Sequence, residues 1–284
     1  MSIAVRRDGQ GFSDSLSVDF ADPEQDLYGL VRVELRPGLG GAVAGGLALE
    51  RGENVELSRV QIQLEAPHDW SSVEVDGVRI ADDGERARVV VDGGSTGLEL
   101  EATRLGGSAL EPGAELPGLV ERARQAFSAR ITGECRRDGA SRRIRCFGRI
   151  VRTAAEVDWE RIELLRSLTA VLEDGSLLAL AAARPAGAAG HGAEAVDALL
   201  LDSDGSVARF EEPLLSTQYD SRDRQRRAGV ELPVAEEPAP VRGAGARVCG
   251  ASLDLDGVRL EAAFLDWSLD GVTGTARYDL LRGA

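Results

Sequence analysis

ARITGECRRDGASRRIRCFGRIVRTAAEVDWERIELLRSLTAVLEDGSLLALAAARP, residues 129–185, decides the fold. It reads as strand, tight turn at Asp138-Gly139, strand, an irregular corner over Gly148–Trp159, then two strands joined at Asp174-Gly175. Apolar and polar residues alternate through it with the period of two that puts successive side chains on opposite faces of a sheet. Outward from this stretch the same grammar continues. Leu16–Phe20, Tyr28–Leu35, Val60–Leu64, Arg86–Val91 and Gly97–Thr103 are short alternating runs at regular spacing. Further Asp-Gly turns fall at Asp76-Gly77, Asp204-Gly205, Asp256-Gly257 and Asp270-Gly271. That spacing marks an antiparallel sandwich or barrel. Leu119–Phe127 has the composition of a short helix. Ala193–Leu201 has helix propensity too, but its place between hairpins argues for a strand.

The chain has 284 residues, long for one domain, and two domains are expected. The Gly- and Pro-rich segment Gly106–Gly118 is the clearest composition break. It places an N-terminal β domain at 1–112 and a C-terminal β domain at 113–284. Pro233–Ala246 reads as a surface loop. Aromatics make up 4% of the residues, so the core must rest on Leu, Val, Ala and Ile.

A net charge of −15 argues against a nucleic-acid or anionic-membrane binder. The 33 basic residues are all Arg. The N-terminus has two Arg but no apolar run behind them, and no apolar run approaches the length of a membrane span. No signal peptide or integral membrane segment is therefore expected, and a cytoplasmic location is. Cys135, Cys146 and Cys249 lack metal-ligand spacing and read as free, buried thiols. With two distant histidines, His68 and His191, no metal site is expected, and no cofactor-binding fingerprint is present.

Candidate chemistry is sparse. Asp158-Trp159 and Asp266-Trp267 each set a carboxylate beside an indole, where burial could raise an acid's pKa and the ring could stabilise a cation. Core packing is the commoner use of Trp, and on a strand an adjacent Asp faces the other way. Arg143, Arg145 and Arg149 share a strand face. That face is either an anion site or, as the preferred reading, a solvated surface. His191, in a Gly-rich loop, is a candidate for a barrel mouth, and Tyr219 is a weaker one.

Four stretches carry a resemblance: DPEQDLYGLVRVELRP from Asp22, ITGECRRDG…FGRIVRTAAEVDWERIEL from Ile131, ALAAARPAGAAGHGAEAV, and SLDLDGVRLEAAFLDWSLDGVTGTARYDLL near the C-terminus. Through them the chain resembles the hydroxyneurosporene synthase (carotenoid hydratase)/AttH-like family. The resemblance implies an all-β fold of two lipocalin-like antiparallel β-barrel domains packed together. It also implies an apolar small-molecule partner, isoprenoid or lipid-like. The family's Gly-Gln-Arg-x-His-Ser-Trp-Gly segment before an Asp-Trp matches here at Gly148, Asp158 and Trp159. Arg149, Ile150, Arg152, Thr153, Ala154 and Ala155 replace its Gln, Arg, His, Ser, Trp and Gly. The expectation is a divergent member that acts on an apolar unsaturated substrate by acid-initiated hydration or cyclisation. Asp158 would be the acid, Trp159 a cation-stabilising wall and Arg152 an anchoring charge, with Arg149, His191, Tyr219, Asp266 and Trp267 at the ligand. The alternative is a non-catalytic carrier of a lipophilic molecule.

Overall fold

The computed structural model describes residues 12–36, 41–50, 53–63, 70–75, 77–107, 109–112, 119–235, 239–254 and 258–283. Among them the regular structure is strand, apart from one 3-10 turn at His191–Ala193. The expected turn at Asp256-Gly257, Asp76 of the expected turn at Asp76-Gly77, and His68 lie outside the described residues.

The chain divides into two compact units: Met1–Gly106 with Phe127–Glu156, and Gly107–Ala126 with Val157–Ala284. Each unit is thus discontinuous, which a single boundary at 112/113 cannot express. The cause is the hairpin at Asp138-Gly139, whose two long strands complete the first unit's sheet. They are β10 (Leu119–Arg137) and β11 (Ala140–Val157).

In the first unit, β1 (Phe12–Asp22), β2 (Leu27–Arg36), β3 (Gly41–Glu50) and β4 (Glu53–Gln63) form a meander. On the other side run β5 (Val73–Val75), β6 (Val78–Asp82), β7 (Arg86–Asp92) and β8 (Thr96–Arg104). The sheet order is β4-β3-β2-β1-β11-β10-β8-β7-β6-β5. Its two ends meet, β4 against β5 and β7, so the sheet closes nearly into a barrel. Alternation sends Leu16, Val18, Phe20, Val31, Val33, Val89, Leu100 and Ile150 into one apolar core.

Two sequence expectations change here. Leu119–Phe127 is strand, because Ala123–Ala126 pairs with Ala109–Pro112 of the short strand β9 (Ala109–Pro112). The expected corner from Gly148 is also strand, since β11 pairs with β1 without interruption from Phe147 to Glu156. The irregular part is confined to the turn at Asp158–Arg161.

Gly148 has a packing role. In the cross-strand row, Phe20 of β1 stands between Gly29 of β2 and Gly148 of β11. A Cβ on Gly148 would lie 2.2 Å from the Asp19 carbonyl oxygen, and one on Gly29 would lie 2.1 Å from the Phe20 ring. On the opposite sheet face Arg149 pairs with Asp19 at 2.5 Å, both side chains fully buried.

The second unit is a nine-strand antiparallel sheet. Its strands are β12 (Ile162–Leu172), β13 (Leu177–Pro185), β14 (Ala195–Leu201), β15 (Val207–Arg209), β16 (Leu214–Tyr219), β17 (Gln225–Leu232), β18 (Val241–Asp254), β19 (Val258–Leu269) and β20 (Val272–Gly283). They follow the order β15-β14-β13-β12-β20-β19-β18-β17-β16. The sheet curves into a half-barrel around Leu164, Leu168, Leu180, Val230, Leu265, Trp267 and Tyr278. Ala193–Leu201 resolves as the 3-10 turn followed by β14, as its hairpin context argued. Asp-Gly turns at 138–139 and 270–271 carry positive φ at both residues, the requirement of a type I′ hairpin.

Gly148→Ala is expected to destabilise the protein by about 1–3 kcal/mol in urea unfolding, because the added methyl meets backbone that cannot move aside. Unchanged stability would remove this packing role.

Candidate active site in the second half-barrel

Along β12 the residues Leu164, Arg166, Leu168 and Ala170 share the face turned to the apolar core. Arg166 is therefore a charge on a core position, and only 1% of its side chain is exposed. Such a charge persists only if it is paired and hydrogen-bonded. Arg166 is. One terminal nitrogen donates to Thr217 Oγ1 at 2.8 Å and to the Tyr278 hydroxyl at 3.1 Å. The other donates to the Leu215 carbonyl at 3.0 Å and to the carboxylate of Glu194, itself 1% exposed. Burial opposes the charge on Arg166, but the Tyr278 and Glu194 oxygens outweigh it and raise its pKa, so it stays a cation. Burial pushes the Tyr278 hydroxyl up to about 12.

Glu194 carries the chain of contacts to the surface. Its second oxygen lies 2.5 Å from His191 Nδ1. A carboxylate held by Arg166 can only accept, so in the neutral ring Nδ1 bears the proton and Nε2 is the acceptor. Nε2 in turn receives the Tyr219 hydroxyl at 3.1 Å, and the two rings stack with centroids 5.7 Å apart. The 3-10 turn sets this up by placing His191 and Glu194 three residues apart, with the Glu194 amide bonded to the His191 carbonyl. Burial raises the pKa of Tyr219 against the pull of Arg166, so its hydroxyl is a neutral donor.

Two cavities adjoin this chain. One of about 880 Å³ lies in the seam between β14 and the β15–β16 connection, walled by Val196, Phe210, Leu214 and Leu215, with Arg166, His191 and Glu194 at its polar side. The other, about 480 Å³, has His191 and Tyr219 in its wall together with several arginines. His191 borders both. Among the described residues no cluster of His, Cys, Asp and Glu has the arrangement of a metal site.

The other sequence candidates lie elsewhere. Asp158 accepts the amides of Glu160 through its side chain and of Arg161 and Ile162 through its carbonyl, so it caps a turn. Trp159 packs with Ile162, Leu165, Ala181 and Ala183, on the sheet face opposite Leu164 and Leu168. Arg152 belongs to the other unit and pairs with Asp14 at 3.1 Å. Trp267 is buried in the half-barrel core over Gly243 and Gly245, while Asp266 is exposed on the opposite face. His191 and Tyr219 are brought together; Asp158 and Arg152 sit in separate units. Arg166, Glu194, Thr217 and Tyr278 escaped the sequence reading. For Arg166 a signal existed: an arginine at core parity inside ELLRSLTAVL.

No family model matches the sequence, and no curated protein matches it. Solved structures do. An AttH-designated protein of Nitrosomonas europaea superposes with a TM-score of 0.72 at 14% identity, covering 96% of this chain and 92% of that one. CghA in complex with Sch210972 gives 0.66 at 13%, covering 96% and 89%. Kievitone hydratase from Nectria haematococca gives 0.69 at 10%, again covering 96% and 89%. The fold is the two-domain lipocalin-like one. At these identities the match is one of architecture.

Among the described residues no helix is long and apolar enough to cross a membrane.

Arg166→Ala leaves Glu194 buried beside a neutral gap, and is expected to cost about 3–5 kcal/mol in urea unfolding. The Arg166→Ala/Glu194→Ala double variant should lose less than the sum of the single losses. Additive losses would mean that the two charges do not depend on each other.

Proposed function

We propose that the second half-barrel is an acid–base site acting on a largely apolar, unsaturated small molecule, adding water across the unsaturated bond or closing a ring. The observation that carries this reading is the continuous chain Arg166–Glu194–His191–Tyr219, ending at cavities of molecular size. One fold neighbour, kievitone hydratase, is a hydratase by name, which agrees with this reading. The acid is assigned here to His191 and Tyr219, because the Asp158 carboxylate is engaged in its turn.

The chemistry follows from the order of the groups. With His191 protonated at both nitrogens, Glu194 stabilises the imidazolium, and Nε2–H faces the Tyr219 oxygen. Tyr219 gives its proton to the substrate as it takes the one on Nε2, so the phenol is a conduit and the imidazolium the acid. The π pair of the double bond forms the new C–H bond. Water, or a second double bond of the same molecule, bonds to the electron-deficient carbon. The proton released from that water, or from the carbon next to the ring-closed cation, returns through Tyr219 to His191. Arg166 keeps Glu194 aligned throughout.

The test is incubation of the purified protein with a panel of prenylated and terpenoid alkenes in D₂O, followed by mass spectrometry. Deuterium incorporation with hydration or cyclisation is expected. Tyr219→Phe and His191→Gln should each lower it by about 10²–10⁴-fold, while Asp158→Asn leaves it unchanged. A protein that retains a lipophilic molecule through purification and returns it unaltered is a carrier, and would overturn the acid–base reading.

A further inference from the structure

The smaller cavity beside His191 and Tyr219 is lined by more cations than carboxylates. Arg184, Arg222, Arg259 and Arg282 face Glu163, Asp223 and Glu261. On a protein of net charge −15 this is a local reversal of sign. The pairing within the cavity is uneven. Arg184 is committed to Glu163 at 3.0 Å and Arg259 to Glu261 at 2.6 Å. Arg282 and Arg222 have no carboxylate partner among the described residues, and Arg282 is partly buried. Arg184 also keeps a buried Nε–H with no acceptor.

The arrangement is built into the sheet. Arg259 of β19 and Arg282 of β20 are direct cross-strand partners, so two guanidinium groups rise from one spot on the same face. Like charges directly opposite each other on a sheet are destabilising, and Arg259 has an acid of its own while Arg282 does not. A carboxylate placed over Arg282 would relieve this repulsion and meet the planar fork of donors that suits it. Arg282 also acts on the Tyr219 hydroxyl: burial raises that group's pKa, and Arg282 is among the cations that oppose the rise. Arg282 and the proposed proton conduit are therefore within electrostatic reach of each other.

We infer that this cavity seats the carboxylate of an amphipathic acid on Arg282 and Arg222, with the apolar body of the same molecule directed toward His191 and the seam cavity. The inference narrows the substrate class of the proposed site from apolar molecules in general to carboxylic acids. It rests on the acid–base reading for its location. Its test reads binding and not turnover, so the two can fail separately.

The experiment is titration calorimetry of the full chain with decanoate and with 1-decanol, matched in chain length, near neutral pH. The wild-type protein should bind decanoate about tenfold or more tightly than 1-decanol, the range of a charge-assisted hydrogen bond. Arg282→Met, which keeps most of the side-chain volume, should abolish that preference and leave 1-decanol affinity unchanged. Arg222→Met should reduce the preference in part. Circular dichroism of each variant checks that the sheet is intact. Equal affinity for the two probes, a preference that survives in Arg282→Met, or no binding of decanoate to the wild type would each overturn the inference. Deuterium incorporation into a neutral alkene alongside any of those results would leave the acid–base reading in place.

Discussion

The Arg166 guanidinium is the constraint on which the second unit depends. The edge strands of its sheet, β15 and β16, follow one another in sequence but stand at opposite ends of the strand order. From β12 in the middle of the sheet, Arg166 reaches Leu215 and Thr217 on β16 and Glu194 at the head of β14. One side chain thus ties both margins of the seam to the core. Desolvating it costs several kcal/mol, which the four oxygens on its two terminal nitrogens offset, although its Nε–H is buried without an acceptor. That requirement fixes Glu194 as a buried carboxylate, and Glu194 then fixes the orientation of His191. Tyr219, the proposed proton conduit, is thus held against His191 by a stabilising network.

The residues that matched the family frame in sequence turn out to have architectural work. Gly148 leaves room beside Phe20, Asp158 closes a turn, and Trp159 covers an apolar cluster on the outer face of β12 and β13. Arg149 and Arg152 each meet an aspartate on β1 across the same strand pair. This segment is a strand whose Arg149 and Arg152 pair with Asp19 and Asp14. The chemistry inferred for this chain accordingly lies with the other unit.

The fold was legible because it is written in local signals. Asp138-Gly139, Asp174-Gly175, Asp204-Gly205 and Asp270-Gly271 are turns for reasons contained in two residues, and each is a turn in the structure. Long strands were less legible where pairing overrides propensity: Leu119–Phe127 extends because Ala123–Ala126 has a partner strand. His191 and Tyr219 could be singled out separately as polar residues near turns. Their union could not, since it runs through Arg166 and Glu194, which lie 28 positions apart in the chain. The one local trace of that network was Arg166 itself, sharing parity with Leu164 and Leu168 on an otherwise apolar strand face.

The central claim is that Glu194 holds His191 with its proton on Nδ1 so that Nε2 faces Tyr219. Nitrogen NMR of the imidazole rings tests it directly, and the chain's two histidines can be told apart with a His191→Gln variant. The account predicts that neutral His191 is a single tautomer, protonated at Nδ1, with Nε2 showing the shift of a hydrogen-bond acceptor that moves in Tyr219→Phe. A ring protonated at Nε2, or one averaging between tautomers as free imidazole does, would contradict it.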